Sequence, residues 1–197
     1  MVNSSYDQFV GTYHDVITDD FNLYLTSLYD DFQERGLTMT TYEETYGNLK
    51  TTSRKDNAIY IPSGIPSECF PQINFQGFWD NLRECVKDYQ YQYNFDTVEL
   101  SSYNFMMHKS EPRGGYHVWH KDTGPNTSTR ILTWLLYITV PDEGGETEFL
   151  NQSLRCLPEK NKLVIFPSGF THIHRGNPSL KGSKLYLTGY FIETGAF

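Results

Sequence analysis

Two stretches in the first half of the chain carry hydrophobic residues at the three- and four-residue spacing of an amphipathic helix. The first runs from about Asp19 to Glu34, where Thr18 can act as N-cap and Gly36 provides a stop. Its apolar face holds four side chains: Phe21, Leu25, Leu28 and Phe32. The second runs from about Phe75 to Tyr91, with an apolar face of Phe78, Leu82, Val86 and Tyr89. The sequence therefore predicts two helices that each bury one side.

From Asp96 onward the pattern changes to short β-branched and aromatic segments separated by clusters of glycine, proline and asparagine. Such segments are typical of strands joined by turns. We predict eight strands, near residues 98–109, 116–121, 131–140, 147–150, 153–156, 161–166, 171–175 and 183–192. Their number and spacing favour a mainly β fold with N-terminal helices, built as a sandwich or barrel, and a double-sheet jelly roll in particular. The helices are expected to pack on one outer face.

Between the predicted helices lies a polar, threonine-rich stretch, Thr38–Asn57, without a clear hydrophobic period. We expect it to be a mobile loop over the mouth of a site, because loops of this length are usually functional or disordered. An ordered surface loop and an extra β-hairpin that extends the sheet are the alternatives. Neither a repeat nor a linker divides the sequence, so a single domain over residues 1–197 is expected.

Composition and charge restrict the class of protein. Aromatic residues make up 16% of the chain, which excludes a disordered protein. No apolar run approaches the roughly 20 residues of a membrane span, and the first residues do not resemble a secretory signal. With 24 acidic and 16 basic residues the net charge is −8, which argues against nucleic-acid and membrane partners. Cys69, Cys85 and Cys156 are odd in number and far apart, so we expect free thiols and a cytoplasmic location.

His120 and Asp122 form the strongest candidate site. On a strand, residues two apart point to the same face, so an imidazole and a carboxylate would project together into the barrel, where neither belongs unpaired. An ordinary exposed or hydrogen-bonded pair is the alternative. A histidine from a later strand, His172 or His174, would complete a set of two histidines and one carboxylate on Fe(II). This set leaves positions open for oxygen chemistry, whereas zinc prefers a closed tetrahedron or one open position.

Five motifs follow one another in the second half of the chain. They are His120-x-Asp122, Arg130-x-x-Thr133-x-x-x-Tyr137, Gly144-Gly145-Glu146-Thr147-x-Phe149, Pro158…Val164-x-Phe166-Pro167 and His174-x-x-x-Pro178-x-x-x-Gly182-x-Lys184. In order and spacing, the part from about Val98 to Ile192 resembles the prolyl 4-hydroxylase-like 2-oxoglutarate/Fe(II) dioxygenases. The resemblance implies a double-stranded β-helix core over residues 96–197. Residues 1–95 carry no such motif and would form the helical support and the substrate-facing region.

The resemblance also assigns the metal ligands. It implies that His120, Asp122 and His174 hold the iron. His174 is preferred to His172 because Pro178 follows it at four residues and Lys184 at ten, which is the spacing of the family.

The cosubstrate site is implied in the same way. Lys184 stands where the family places the cation that binds the distal carboxylate of 2-oxoglutarate, and Tyr137 where a hydroxyl bonds to the same carboxylate. Thr188 lies four residues beyond Lys184 on the same face and would add a second hydroxyl. Three further residues are candidates for substrate contact or for support of the ligands: Arg130, His172 and Tyr116.

The function expected from these residues is hydroxylation of an unactivated C–H bond by an Fe(II)- and 2-oxoglutarate-dependent dioxygenase. The resemblance makes Fe(II) the metal, 2-oxoglutarate and O2 the cosubstrates, and leaves room for ascorbate as an accessory reductant. A prolyl residue in a protein or peptide ranks first as the target. A free amino acid or another small molecule is the alternative substrate. A metal-binding jelly-roll module without turnover is the alternative class.

Overall fold

The computed structural model describes residues 3–40, 44–46, 49–51, 54–62 and 75–194. This part of the chain is mainly β, with two helices, α1 (Asp19–Glu34) and α2 (Phe75–Gln92). Helix α1 begins where the sequence predicts, because the Thr18 hydroxyl accepts a hydrogen bond from the backbone N–H of Phe21 at 3.2 Å. The chain leaves α1 through Gly36, whose φ of 68° is in the left-handed region.

The strands are short, and most of them lie in the second half of the chain. In chain order they are β1 (Ser4–Asp7), β2 (Val10–Tyr13), β3 (Met39–Thr40), β4 (Glu44–Tyr46), β5 (Leu49–Thr51), β6 (Arg54–Lys55), β7 (Asn57–Pro62), β8 (Leu100–Ser101), β9 (Asn104–Ser110), β10 (Gly115–Tyr116), β11 (Arg130–Thr139), β12 (Glu143–Gly144), β13 (Thr147–Phe149), β14 (Leu154–Cys156), β15 (Leu163–Pro167), β16 (His174–Gly176), β17 (Ser179–Lys181) and β18 (Lys184–Glu193).

A nine-stranded antiparallel sheet forms the main layer. Its order is β1-β2-β15-β11-β18-β9-β7-β3, and β8 pairs with the end of β18. Successive side chains of the central strand β11 point to opposite faces of the sheet. Trp134, Leu136 and Ile138 belong to the hydrophobic core that both helices share, whereas Tyr137 belongs to a second core on the other face. The helices therefore cover one face of this sheet and leave the other to the site.

The second face of the main sheet meets a smaller sheet of order β14-β13-β16. Phe149 and Cys156 from the small sheet pack in the same core as Tyr137, Val164 and Phe166 from the main sheet. Two two-stranded sheets, β10-β6 and β12-β17, lie at the margins, and β4 pairs with β5. The arrangement is two facing layers of antiparallel strands, with helices on the outside of one layer.

The first half of the chain contributes more strand than the sequence indicates. Strands β1, β2, β3 and β7 all join the main sheet, so the description of residues 1–95 as helical support is incomplete. The stretch Thr38–Asn57, expected to be a loop, contains short strands and the β4-β5 hairpin. Its residues 41–43, 47, 48, 52 and 53 lie outside the described residues, as does Cys69.

Two predicted strands differ from the structure. The one expected near residues 116–121 is reduced to β10 and an isolated bridge between His120 and His174. The one expected near 171–175 is a 3-10 turn over Phe170–His172, followed by β16. Cys85 and Cys156 are free and buried, in agreement with the sequence. Neither α1 nor α2, the helices of the described chain, is long and apolar enough to cross a membrane.

Candidate metal centre and its cavity

Backbone pairing outside the regular strands brings the predicted metal ligands together. The backbone N–H of His120 donates to the carbonyl of His174 at 3.0 Å, and the N–H of His174 donates to the carbonyl of His120 at 2.9 Å. Two residues on, the N–H of Asp122 donates to the carbonyl of Ser168 at 3.0 Å, at the end of β15. Backbone hydrogen bonds to two neighbouring segments therefore hold His120 and Asp122 in place, although the two residues do not lie on a regular strand.

The three side chains converge on one point. One possible donor atom from each of His120, Asp122 and His174 lies within 4.8 Å of the other two. The Nε2 atom of His120 is 3.9 Å from Asp122 Oδ1, and the Nε2 atom of His174 is 3.6 Å from Asp122 Oδ2. This is a two-histidine, one-carboxylate set grouped on one side, which suits a metal with open positions.

The Nδ1 nitrogen of each imidazole already has a hydrogen-bond partner. His120 Nδ1 lies 2.9 Å from the carbonyl of Val118, and His174 Nδ1 lies 3.0 Å from the carbonyl of His172. Because a carbonyl only accepts, both rings carry their proton on Nδ1 and direct the Nε2 lone pair toward the other ligands. Burial, together with the nearby His174, lowers the pKa of His120 to about 4. The ring is therefore neutral near pH 7, as metal ligation requires.

The carboxylate is oriented by its neighbours. The Thr133 hydroxyl lies 2.7 Å from Asp122 Oδ2 and 2.8 Å from the Ser168 hydroxyl. The Arg130 guanidinium donates to the backbone carbonyl of Asp122 at 3.0 Å and lies 3.5 Å from the centre of the Tyr190 ring. Arg130 is thus bound to the loop that carries Asp122.

The three predicted ligands form one side of a cavity whose floor is the inner face of the main sheet. Alternate residues of β18 line it, while Leu185 and Leu187 face the helices. The β18 residues on the cavity side are Lys184, Tyr186, Thr188 and Tyr190. The period of two along this strand could have identified Tyr186 and Tyr190 from the sequence.

Lys184 is a buried cation without an anionic partner in the described part of the chain. Its side chain is 3% exposed, and Nζ donates to the carbonyl of Gly145 at 2.9 Å. Among the described residues no carboxylate lies within 4.0 Å of Nζ. Burial lowers the pKa of Lys184 to about 8, against the opposing charges of Asp56 and Glu146. A buried ammonium of this kind is costly unless an anion joins it.

Two hydroxyls predicted beside Lys184 have other partners. The Tyr137 hydroxyl is 2.8 Å from the Thr147 hydroxyl, and Thr147 forms the cavity wall in front of it. Thr188 does line the cavity, but its hydroxyl donates to the carbonyl of Trp134 at 3.1 Å. Its single proton is therefore already engaged.

His172 lies outside the cavity, although its place two residues before His174 on the strand expected near 171–175 would put both side chains on the same face. Its Nε2 is 2.9 Å from the carbonyl of Gln8, and its Nδ1 is 3.0 Å from the Thr171 hydroxyl. The 3-10 turn breaks the strand alternation on which the expectation depended. Both ring nitrogens are satisfied, so the role of His172 is to join this turn to the β1-β2 hairpin.

The first half of the chain closes the cavity with a residue that the sequence did not reveal. Strand β6 pairs with β10 so that Arg54 lies opposite Tyr116. The Arg54 guanidinium is 5.1 Å from the centre of the Tyr116 ring, which stacks on the His120 ring with centroids 3.8 Å apart. Arg54 also bonds to both carboxylate oxygens of the buried Asp56, at 2.9 and 2.8 Å. Only the long-range pairing of β6 with β10 brings Arg54 to the site.

A groove borders the cavity at Tyr190. Its walls carry amide and hydroxyl side chains that can pair with the backbone of a bound chain. Tyr190 borders both the groove and the cavity, and the other polar residues of the groove are Asn104, Asn126, Thr127, Thr129 and Arg130.

Comparison with known proteins gives a family-model match over part of the chain and similar solved structures. Residues 103–192 match the family model of the 2OG-Fe(II) oxygenase superfamily. No curated protein matches the chain. Among solved structures, the 2OG complex of the viral collagen prolyl hydroxylase from Paramecium Bursaria Chlorella virus-1 is 15% identical with a TM-score of 0.65, over 95% of this chain and 97% of that one.

Two other structures agree with this result. A Pseudomonas putida prolyl-4-hydroxylase is 18% identical with a TM-score of 0.67, over 95% of this chain and 94% of that one. A Trichoplax adhaerens prolyl hydroxylase, in complex with a peptide fragment of the hypoxia inducible factor oxygen degradation domain, is 14% identical with a TM-score of 0.66, over 94% and 84%. At these identities the similarity establishes a shared fold.

Proposed function

We propose that the protein hydroxylates a prolyl residue of a polypeptide with Fe(II), 2-oxoglutarate and O2, on the basis that residues 103–192 match the family model of the 2OG-Fe(II) oxygenase superfamily. The class of enzyme and its cofactors, which the sequence motifs predicted, are confirmed by this match. The observation that carries the proposal is that His120, Asp122, His174 and Lys184 all line one cavity.

The residues fit the metal. His120, Asp122 and His174 would hold Fe(II) through two Nε2 atoms and a carboxylate oxygen, since Nδ1 of each ring is already paired with a carbonyl. When bound, Fe(II) with 2-oxoglutarate supplies the oxidising chemistry that cleaves an unactivated C–H bond. The protein's part is to place the ligands on one side, so that the other side stays open to cosubstrate and oxygen.

The residues also fit the cosubstrate. Lys184 would bind the distal carboxylate of 2-oxoglutarate, because its buried ammonium contacts a carbonyl but no carboxylate among the described residues. Thr147, with the Tyr137 hydroxyl behind it, is placed to add a hydrogen bond from the cavity wall. Thr188 would contribute to the cavity wall without donating to 2-oxoglutarate, since its hydroxyl proton is engaged by the carbonyl of Trp134.

A polypeptide substrate is favoured by the groove beyond Tyr190. Its asparagine, threonine and arginine side chains can pair with the backbone of residues on either side of a target held in the cavity. The structural neighbours named above are prolyl hydroxylases, one of them bound to a peptide. Tyr116 and Arg54, which cover the His120 ring, would exclude water from the ligands on that side.

We propose further that residues 1–197 act as a single oxygenase domain with a double-stranded β-helix core over 96–197. The pairing of β2 with β15 and of β7 with β9 supports it, since strands of the first half complete the sheet of the second. A cytoplasmic location is proposed because Cys85 and Cys156 are free thiols.

An array of proline-containing peptides tests the function. We expect some peptides to gain one oxygen atom by mass, with an equal amount of succinate formed. If no peptide is hydroxylated while free proline or another small molecule is, the polypeptide assignment is wrong. If Fe(II) and 2-oxoglutarate bind but neither peptides nor small molecules stimulate succinate formation, the hydroxylase function itself is contradicted.

A further inference from the structure

A second cleft, of about 300 Å³, lies on the other face of β16 from the metal centre. His174 and Gly176 line the catalytic cavity, whereas Arg175 between them lines the cleft. This is the alternation of a strand. Pro178 and Leu180 form the apolar wall of the cleft. Its other polar side chains are those of Arg113, His117 and Asn177.

The cleft is positively charged on a chain whose net charge is −8. Arg175 pairs with Glu148 through Nε at 3.0 Å and Nη2 at 2.7 Å, and Arg155 pairs with the same carboxylate at 2.9 Å. The guanidinium of Arg113 has neither an ion pair nor a hydrogen bond within the described residues. Arg175 and Arg155 therefore share one carboxylate, and Arg113 brings a further positive charge to the cleft.

The backbone holds Arg113 in position. Its φ of 67° is in the left-handed region, which is uncommon for a residue with a side chain. Its N–H donates to the carbonyl of Ser179 at 2.7 Å, which fixes it against β17. The exposed guanidinium is thus presented from a constrained turn.

His117 adds a donor. Its Nδ1 is buried and has no hydrogen-bond partner in the part of the chain that the structure describes. A buried lone pair without a partner costs less than a buried N–H without one, so the proton belongs on Nε2. The ring then offers an N–H from its other side, in the cleft that Arg113 also lines.

We propose that this cleft binds a carboxylate side chain of the polypeptide substrate, so that an acidic residue near the target is preferred; this inference rests on the proposed function. Guanidinium groups match carboxylates in charge and in planar geometry. Since β16 separates the cleft from the cavity, 2-oxoglutarate held in the cavity cannot fill it.

Exposed apolar side chains lie between the cavity and the cleft, where a bound polypeptide would pass from one to the other. Trp119 directly precedes His120, is 37% exposed, and lies under the Arg175 guanidinium at 4.3 Å from its ring centre. Val118 and Leu180 are also exposed on this side. A polypeptide can cross this apolar strip and place an acidic side chain in the cleft.

Fluorescent proline-containing peptides test the inference. Glutamate is placed at one position at a time on either side of the proline, with glutamine at the same position as the reference. Dissociation constants are measured in the presence of 2-oxoglutarate, with Mn(II) in place of Fe(II) to prevent turnover. Hydroxylation is measured in parallel with Fe(II). At one position or more, glutamate is expected to tighten binding at least about threefold.

Variants assign the effect to the cleft. Arg113→Glu is expected to reverse the preference, so that lysine at that position binds more tightly than glutamate. Arg83→Gln serves as the matched control, because Arg83 is an exposed arginine paired with Asp80 on α2, and it keeps the wild-type preference.

The outcomes separate this inference from the proposed function. Equal binding of glutamate and glutamine peptides at every position, or a glutamate preference that survives Arg113→Glu, overturns the cleft. Arg113-dependent binding of acidic peptides without any hydroxylation supports the cleft and contradicts the prolyl substrate.

Discussion

Replacement of Lys184 by methionine tests how the cavity holds 2-oxoglutarate. Methionine keeps the length and apolar stem of the side chain and removes the charge. Among the described residues Nζ has one hydrogen-bond partner, the Gly145 carbonyl at 2.9 Å, so its remaining protons are available to a carboxylate. A charge-assisted hydrogen bond contributes about 1.5–3 kcal/mol, and we therefore expect affinity for 2-oxoglutarate to fall by about 10- to 150-fold.

The measurement is an anaerobic titration of the Fe(II)-loaded protein with 2-oxoglutarate, followed by visible absorbance. Lys162→Met is the matched control. Lys162 is also buried, at 6% exposure, but it bonds to Glu159 at 2.7 Å and to the Leu157 carbonyl at 3.1 Å, outside the cavity. Lys162→Met is expected to lose stability and keep its 2-oxoglutarate affinity. An unchanged affinity in Lys184→Met would refute the assignment of Lys184.

The same lysine predicts a pH dependence. Burial lowers the pKa of Lys184 to about 8 in the free protein, with Asp56 and Glu146 opposing the shift. Only the protonated ammonium attracts the carboxylate, so affinity for 2-oxoglutarate is expected to weaken as pH rises above about 8, approaching tenfold per pH unit. An affinity that stays constant from pH 7 to 9.5 would show that the charge of Lys184 is not used.

The remaining predictions concern the support of the site. Thr133→Val removes the hydroxyl 2.7 Å from Asp122 Oδ2 and is expected to weaken metal affinity by about 10- to 100-fold, as measured by Mn(II) titration; an unchanged affinity would show that this bond does not orient the carboxylate. Arg54→Met removes the guanidinium from the buried Asp56 and is expected to lower the free energy of unfolding by about 3 kcal/mol. In urea denaturation, Arg54→Met combined with Asp56→Asn should recover part of that loss, and a loss below about 1 kcal/mol for the single variant would contradict the role of the pair.

Much of the fold was readable from local signals. The Thr18 cap and the regular apolar spacing predicted α1 at its observed bounds, since both depend on residues within one helix. The long strands β11 and β18 were also predicted closely, because each combines β-branched and aromatic residues over ten positions. The hairpin of β1 and β2 was missed because Gln8 and Phe9 occupy its turn with positive φ, where glycine or asparagine would have been the signal.

The residues of the site also differ in whether the sequence predicts them. The three ligands and Lys184 were predicted by resemblance to a family, and the structure brings them to one cavity. Arg54 had no local signal, because it reaches the cavity only through the pairing of β6 with β10. His172 does not share a face with His174 for a local reason, since a 3-10 turn replaces the predicted strand and the His172 ring lies against the carbonyl of Gln8.

The most direct test of the metal centre uses the two neighbouring histidines, His172 and His174. Fe(II) and 2-oxoglutarate are added without oxygen to the wild-type protein, to His174→Ala and to His172→Ala, and the weak visible band of the Fe(II)–2-oxoglutarate chelate is recorded. We expect the band in the wild-type protein and in His172→Ala, and its loss in His174→Ala. A band that survives in His174→Ala but disappears in His172→Ala would contradict the assignment of the metal centre.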